Sequence, residues 1–399
     1  MDCILIYFHR IDFPSASGQT IAILRDYFAM SETLEAVHLF YRSPVCFKDA
    51  SMNDSLNHYG AKLTSSFKMH CMPETSFARY RLKKRVIQLI KSSDNPVIIA
   101  TRILRHARTG ALIRNKFSPR PIKVVLELHH EAFPHMVYQQ QNRDWKAFLS
   151  LKKEKKIISK VDGIVCTAPP QLTILDQKFP HHAPAIVLPS SYDATFFQFM
   201  PEKSTQRRRN TFHIRYAGQF SIWKNTDVMI EALKFLPDNV VLDVAGGKLG
   251  ANEATKKMLA KQSQIHGVQS RVNCFGFLPP KQVSLFLAEA DCLVLPLGDN
   301  VQSRFFTSPI KLFEYAASNV PMVVSRQPTT LSLIEDGVHA LMVKPDSPQD
   351  LARAVINIMN NYNLGRKLAD NAKEWVARYS TQARTVRYKY FLDRLMDKI

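Results

Sequence analysis

Apolar residues along this chain fall in short blocks rich in Val, Ile and Leu, separated by longer stretches whose apolar positions recur at helical spacing. The first block, CILIYF (3–8), leads through a polar, Gly-containing loop into the helical pattern TIAILRDYFAM. NPVIIAT (95–101), IKVVLELHH (122–130), DGIVCTAPP (162–170) and APAIVLPSS (183–191) follow as further strands with helical stretches between them. Buried β-branched runs that alternate with helices predict a parallel sheet covered on both faces. The second half repeats the rhythm with FHIRYAG (212–218), VVLDVAGG (240–247), RVNCFGF (271–277), DCLVLPL (291–297), PMVVS (321–325) and HALMVK (339–344). Asp346, Ser347 and Asp350 then open a last set of helices that runs to Ile399.

Between the halves, FMPEKSTQRRRNT is polar and basic and interrupts the alternation. At 399 residues the chain exceeds one ordinary core, so it reads as two doubly wound α/β lobes. The expected division is a lobe at 1–195, a linker at 196–210 and a lobe at 211–379, with a final helix at about 380–399 returning to the first lobe. Open parallel sheets take ligands beyond the carboxyl ends of their strands, so two such lobes predict a ligand cleft between them.

Composition refines this picture. Hydrophobic residues at 46% and charged residues at 22% describe a folded protein and exclude a disordered or fibrous one. The six cysteines (3, 46, 71, 166, 274, 292) include no CxxC pair, and four sit in apolar runs, as expected of reduced thiols in a cytosol. The start MDCILIYFHR lacks the basic lead and the length of a signal peptide, and no run approaches the roughly 18 apolar residues of a membrane span. The expected location is therefore cytoplasmic, either soluble or peripheral on the cytoplasmic face of a membrane.

The net charge of +20 is concentrated: residues 79–160 hold 20 Lys and Arg against five Asp and Glu. The stretches ARYRLKKRVIQLIK (78–91) and FLSLKKEKKIISK (148–160) mix apolar and basic residues as interfacial helices do. Two readings stand for this segment, a solvated basic face or a docking face for a phosphate-rich surface such as an anionic membrane or glycolipid. A nucleic-acid partner would also account for the charge, but no RNA-recognition or zinc-finger signature accompanies it, and none is expected.

Candidate chemistry lies in TSPIKLFEYAASNVPMVVS (307–325), just after DCLVLPL. Ser308 is suited to an N-cap and Pro309 to the first helical position, which predicts a helix from SPIKLFEY. The N-terminus of such a helix, with its unpaired N–H groups and partial positive charge, accepts a diphosphate, to which Lys311 adds a full charge. Glu314, about one turn further on, is placed to accept hydrogen bonds from adjacent hydroxyls such as those of a ribose. The alternative is an ordinary amphipathic helix with a solvated Lys and Glu.

The order of these features resembles the donor-binding region of glycosyltransferase family 4, retaining enzymes of the GT-B fold, in its SPxKxxEY-type subgroup. IRYAGQFSIWKNTDVMIEAL is similar to that family's first segment of the second lobe. The likeness implies Gly218 as the turn glycine, Lys224 as the phosphate-binding and catalytic lysine, Gly246 of VAGG at the next donor-binding place, and Ser308, Pro309, Ile310 and Lys311 at the diphosphate. In the first half, Gly18 of SASGQT matches the glycine loop that faces donor and acceptor, and VLELHHEAF matches a Glu-x-His strand end that brings His129 to the sugar, with His130 and Glu131 following. LPSSYDATFF corresponds to the segment leading into the linker.

Two departures from the family pattern stand out. Phe306 occupies the place of a Glu that contacts the donor sugar in many members, and Gln219 stands where a phosphate-binding Arg is common. What the resemblance implies is retaining transfer of a sugar from a nucleotide diphosphate to a glycan or glycolipid acceptor, as in polysaccharide or lipopolysaccharide synthesis. Preorganised N–H donors with Lys224 and Lys311 would stabilise the leaving diphosphate. No metal or other cofactor is expected, since no Asp-x-Asp pair and no Cys/His cluster appear. A sugar-nucleotide epimerase or a phosphorylase shares the fold and is the alternative; a non-enzymatic nucleic-acid-binding protein is the more distant one.

Overall fold

The computed structural model describes residues 3–15, 17–43, 47–57, 59–72, 77–129, 133–198, 210–220, 225–247 and 252–397. Seven parallel strands form the first sheet: β1 (Ile4–Asp12), β2 (Ala36–Arg42), β3 (Phe67–Cys71), β4 (Val97–Thr101), β5 (Ile122–Leu128), β6 (Gly163–Cys166) and β7 (Ala185–Val187). Their spatial order is β3-β2-β1-β4-β5-β6-β7. The second sheet comprises β8 (Phe212–Ala217), β9 (Val240–Ala245), β10 (Val272–Gly276), β11 (Cys292–Leu295), β12 (Met322–Ser325) and β13 (Leu341–Val343), in the order β10-β9-β8-β11-β12-β13. Both sheets reverse their winding once, between β1 and β4 and between β8 and β11. At such a switch point adjacent crossover helices lie on opposite faces, leaving a crevice at the strand ends.

Strands β2 and β3 escape the hydrophobic pattern because their polar residues are accommodated by tertiary pairing. The edge strand β3 is only partly buried. His38 Nδ1 lies 2.8 Å from His70 Nε2 across the two strands. Burial lowers the pKa of His38 to about 3 and that of His70 to about 4, so both rings are neutral and one donates its N–H to the bare nitrogen of the other. Cys3, Cys166, Cys274 and Cys292 form no disulfide, whereas Cys71 is disulfide-bonded. That bond departs from the reading of uniformly reduced cysteines, because the pairing depends on tertiary proximity that cysteine spacing does not reveal.

The final helix, Thr381–Met396, lies on the first lobe, where Tyr388, Phe391, Leu392, Leu395 and Met396 enter its core. Gly163 permits this approach, since a Cβ there would stand 2.4 Å from Leu395 Cδ1. The two places where the chain passes between lobes are tied together: Tyr192 N–H donates to Tyr379 O at 3.2 Å, and Thr381 N–H donates to Tyr192 O at 3.0 Å. Arg384 adds a 3.3 Å ion pair with Asp26. These contacts join the end of the sequence to the lobe that begins it and fix where the facing loops meet.

Candidate active site

A cleft of about 1290 Å³ opens between the carboxyl ends of the two sheets. Its floor on the second-lobe side is backbone. Beyond β8 and β9, Gly218 N–H donates to Ala245 O at 2.9 Å and Gly246 N–H donates to Gly276 O at 2.7 Å. Gly246 has φ +145°, and a Cβ there would lie 1.8 Å from the carbonyl oxygen of Gly218. Only glycine allows the two turns to touch, which leaves a floor free of side chains beneath a ligand. Gln219 also lines the cleft, and its carbonyl accepts a 3.0 Å hydrogen bond from Tyr216. Lys224, His130 and Glu131 lie outside the described residues.

The charged helix of the second lobe spans Ile310–Ala317. Leu312, Phe313, Tyr315 and Ala316 are buried in the lobe's core, and Tyr315 Oη accepts a 3.0 Å hydrogen bond from Ala217 N–H. With that face anchored to the end of β8, Lys311 and Glu314 are turned toward the cleft. They pair with each other, Nζ to Oε2 at 2.5 Å. The i, i+3 spacing that makes them neighbours on a helix explains why two charges interrupt a core-like run.

The start of this helix differs from the sequence expectation. Pro309 is the N-cap rather than the first helical residue, and Ser308 makes no capping bond. Instead Ser308 Oγ accepts a hydrogen bond from Ser190 N–H at 2.8 Å, while Ser190 Oγ donates to Ser308 O at 2.7 Å. The hydroxyl is used to tie the helix to the segment preceding the linker, a partner remote in sequence. Ser308, Pro309 and Ile310 nevertheless line the cleft.

On the opposite wall the helix Gly18–Met30 begins at Gly18, with Ser17 as its N-cap. Gly18 faces Ile310 across the cleft at 3.8 Å from its virtual Cβ. Two helix N-termini thus converge on one volume, and both favour an anionic ligand.

His129 lines this cleft, and its Nε2 lies 3.8 Å from Glu127 Oε2. Glu127 is 1% exposed and accepts from Tyr27 Oη at 2.5 Å, Tyr388 Oη at 3.1 Å and Arg102 Nε at 2.8 Å. Burial pushes its pKa up, but the Arg102 guanidinium and His129 outweigh burial and hold it well below the ordinary carboxylate value. Residues from β5, the first and last helices and the loop after β4 therefore meet behind His129. Sequence reading missed Arg102, Tyr27 and Tyr388. A charged residue directly after the apolar strand VIIAT was a usable signal for Arg102, whereas the tyrosines carry no sequence mark.

Phe306, at the place of the sugar-contacting Glu in the family pattern, is 3% exposed. It joins the first lobe's core and lies 5.8 Å, ring to ring, from Phe133. Val301 and Phe305 of the same segment pack against that core as well. This segment of the second lobe is thereby sealed against the first by apolar contact, and the aromatic edge forms part of the cleft lining.

Away from the cleft, the helix Asp144–Ile158 exposes Trp145, Phe148 and Leu149 together with Lys152 and Lys156 along one face. The neighbouring helix Leu104–Lys116 exposes Arg105, Arg108 and Leu112. No helix among the described residues is long and apolar enough to cross a membrane.

Two doubly wound parallel-sheet lobes facing each other across a cleft are the GT-B fold. The same arrangement occurs in Anabaena HepE solved in complex with UDP, at TM-score 0.71 and 17% identity, covering 99% of this chain and 100% of that one. Sucrose-phosphate synthase of Thermosynechococcus elongatus superposes with TM-score 0.76 at 16% identity, covering 100% of both chains. Residues 201–375 match the family described as Glycosyl transferases group 1.

Among curated relatives, an uncharacterized glycosyltransferase of Methanocaldococcus jannaschii is 23% identical over 46% of this chain and 48% of its own length. D-inositol 3-phosphate glycosyltransferase of Corynebacterium urealyticum is 21% identical over 57% of this chain and 55% of its own. The chain thus spans about half the length of the curated relatives it matches.

Proposed function

We propose that this protein is a glycosyltransferase that moves a sugar from a nucleotide-diphosphate donor to a glycan or glycolipid acceptor, with retention at the anomeric carbon. The observation that carries this reading is the Lys311–Glu314 helix end set beside the glycine floor of Gly218 and Gly246. An N-terminus with a lysine suits a diphosphate, a carboxylate one turn on suits ribose hydroxyls, and a side-chain-free floor lets the nucleotide lie close. The group 1 match over this lobe and the UDP bound by HepE support the same assignment. Lys224 would contribute a second cation to the diphosphate, and Gln219 would contribute backbone at its edge.

In the transition state, positive charge develops on the sugar and negative charge on the departing diphosphate. Lys224, Lys311 and the helix N–H groups stabilise the anion in a partly dry cleft, where such interactions are stronger than in water. His129, steadied by Glu127, faces the sugar. The diphosphate itself accepts the acceptor's proton, and no metal is assigned.

Screening UDP-, GDP- and ADP-sugars for slow hydrolysis and for thermal stabilisation tests the proposal. At least one nucleotide family is expected to raise the melting temperature, and no response to any of them contradicts donor binding. Glu314→Ala is expected to weaken that nucleotide's affinity roughly ten- to a hundredfold, as loss of a charged hydrogen bond to ribose costs about 1.5–3 kcal/mol. Unchanged affinity removes the ribose role.

The acceptor wall belongs to the basic lobe, and the exposed Trp145, Phe148 and Leu149 beside lysines fit an anionic membrane surface. In vesicle sedimentation at low salt, binding is expected to rise with the fraction of anionic lipid and to fall in Trp145→Ala/Phe148→Ala. Equal binding to neutral and anionic vesicles opposes this location.

A further inference from the structure

Arg102 is a buried cation whose terminal nitrogens have no part in the proposed donor chemistry. It follows β4, is 6% exposed and lines the cleft on the first-lobe side. Its Nε is committed to Glu127, but Glu127 also receives two tyrosine hydroxyls. The two Nη groups of Arg102 hydrogen-bond to no described residue. The guanidinium carbon lies 6.0 Å from the centre of the Tyr7 ring, and because the side chain lines the cleft, an anionic ligand there would give its terminal nitrogens acceptors.

Adjacent backbone provides for the same ligand. The helix Leu104–Lys116 has no side-chain cap and no acid in its first turn. Its third and fourth N–H groups, His106 and Ala107, donate to Ile103 O at 2.9 and 3.0 Å, leaving those of Leu104 and Arg105 for an outside acceptor. Leu104 and Arg105 line the cleft. Arg105 is exposed, and its guanidinium hydrogen-bonds to no described residue.

We propose that Arg102, Arg105 and the start of this helix form a phosphate subsite on the acceptor wall, so that the acceptor carries a phosphate group near the hydroxyl that receives the sugar. This rests on the transferase reading of the cleft and names its acceptor class. Two guanidinium forks and two free N–H groups offer more donors than a carboxylate accepts but match the oxygens of a phosphate. Such a phosphate is available from a soluble sugar phosphate or from a lipid headgroup.

The two sources separate in calorimetric titrations of protein saturated with whichever of UDP, GDP and ADP stabilises it. One arm adds glucose 6-phosphate, with glucose as control, and the other adds phosphatidylinositol vesicles in neutral carrier lipid. Saturable binding in the first arm assigns a soluble acceptor, and in the second a lipid-borne one. In either case Arg105→Ala is expected to weaken it at least tenfold. Arg102→Lys keeps the charge beside Glu127 but loses the fork, and is expected to weaken binding similarly with melting temperature as the check on folding. No binding in either arm, or binding unchanged in both variants, overturns the subsite. Because nucleotide binding is measured first, failure of the donor reading is seen separately as no response to UDP, GDP or ADP.

Discussion

Lys311→Ala is expected to lower the turnover of sugar transfer about a hundredfold, the usual scale for removing one preorganised group that stabilises a developing anion. The change acts through two routes. It removes a full charge from the N-terminus of the Ile310–Ala317 helix, where the diphosphate would gain negative charge as the sugar departs. It also frees Glu314 from its 2.5 Å ion pair, leaving an uncompensated carboxylate facing the same anion. Because leaving-group charge grows on the way to the transition state, the loss should appear in kcat more than in donor affinity. Lys311→Arg keeps the charge and should recover much of the activity. Steady-state kinetics with the nucleotide sugar identified by screening check this, and a Lys311→Ala enzyme with full kcat rejects the role.

Glu127→Gln is expected to destabilise the protein by about 3–5 kcal/mol, the scale for removing one partner of a buried ion pair. The substitution keeps the shape but leaves Arg102 charged and 6% exposed, and it offers the hydroxyls of Tyr27 and Tyr388 a weaker acceptor. At roughly 2–4 °C per kcal/mol for a lobe of this size, thermal melts at pH 7 should show a fall of about 10 °C. The folded-state pKa of Glu127 is depressed from its ordinary value of 4.5. Its contribution is therefore complete above about pH 4.5 and is lost as the pH falls through the depressed value. The gap between wild type and Glu127→Gln should accordingly narrow as melts are repeated below pH 4.5. A gap of under 2 °C at neutral pH contradicts the account.

Both expectations concern residues of very different legibility. Lys311 and Glu314 stand out in the sequence because they interrupt an apolar run, and a helix requires residues at i and i+3 to share a face. Their orientation toward a cleft depends on Tyr315 reaching Ala217, a contact between residues far apart in the chain. Ser308 shows the opposite outcome. Its local chemistry favours a cap, but the offer of Ser190 across the lobes prevails. Phe306 marks an absent carboxylate in the sequence, while its packing on Phe133 follows only from how the lobes are docked.

The eleven strands marked by short apolar blocks, the two-lobed α/β plan and the glycines after β8 and β9 were determined by the sequence itself. Each depends on short-range physics: the period of side-chain burial, the steric demand of a turn and the charge carried by a helix end. Strands β2 and β3, the network around Glu127 and the unpaired Nη groups of Arg102 were decided only by tertiary structure. They depend on which polar groups find partners once distant segments meet, and a buried carboxylate or guanidinium is stabilised by geometry that no neighbouring residue in the chain specifies.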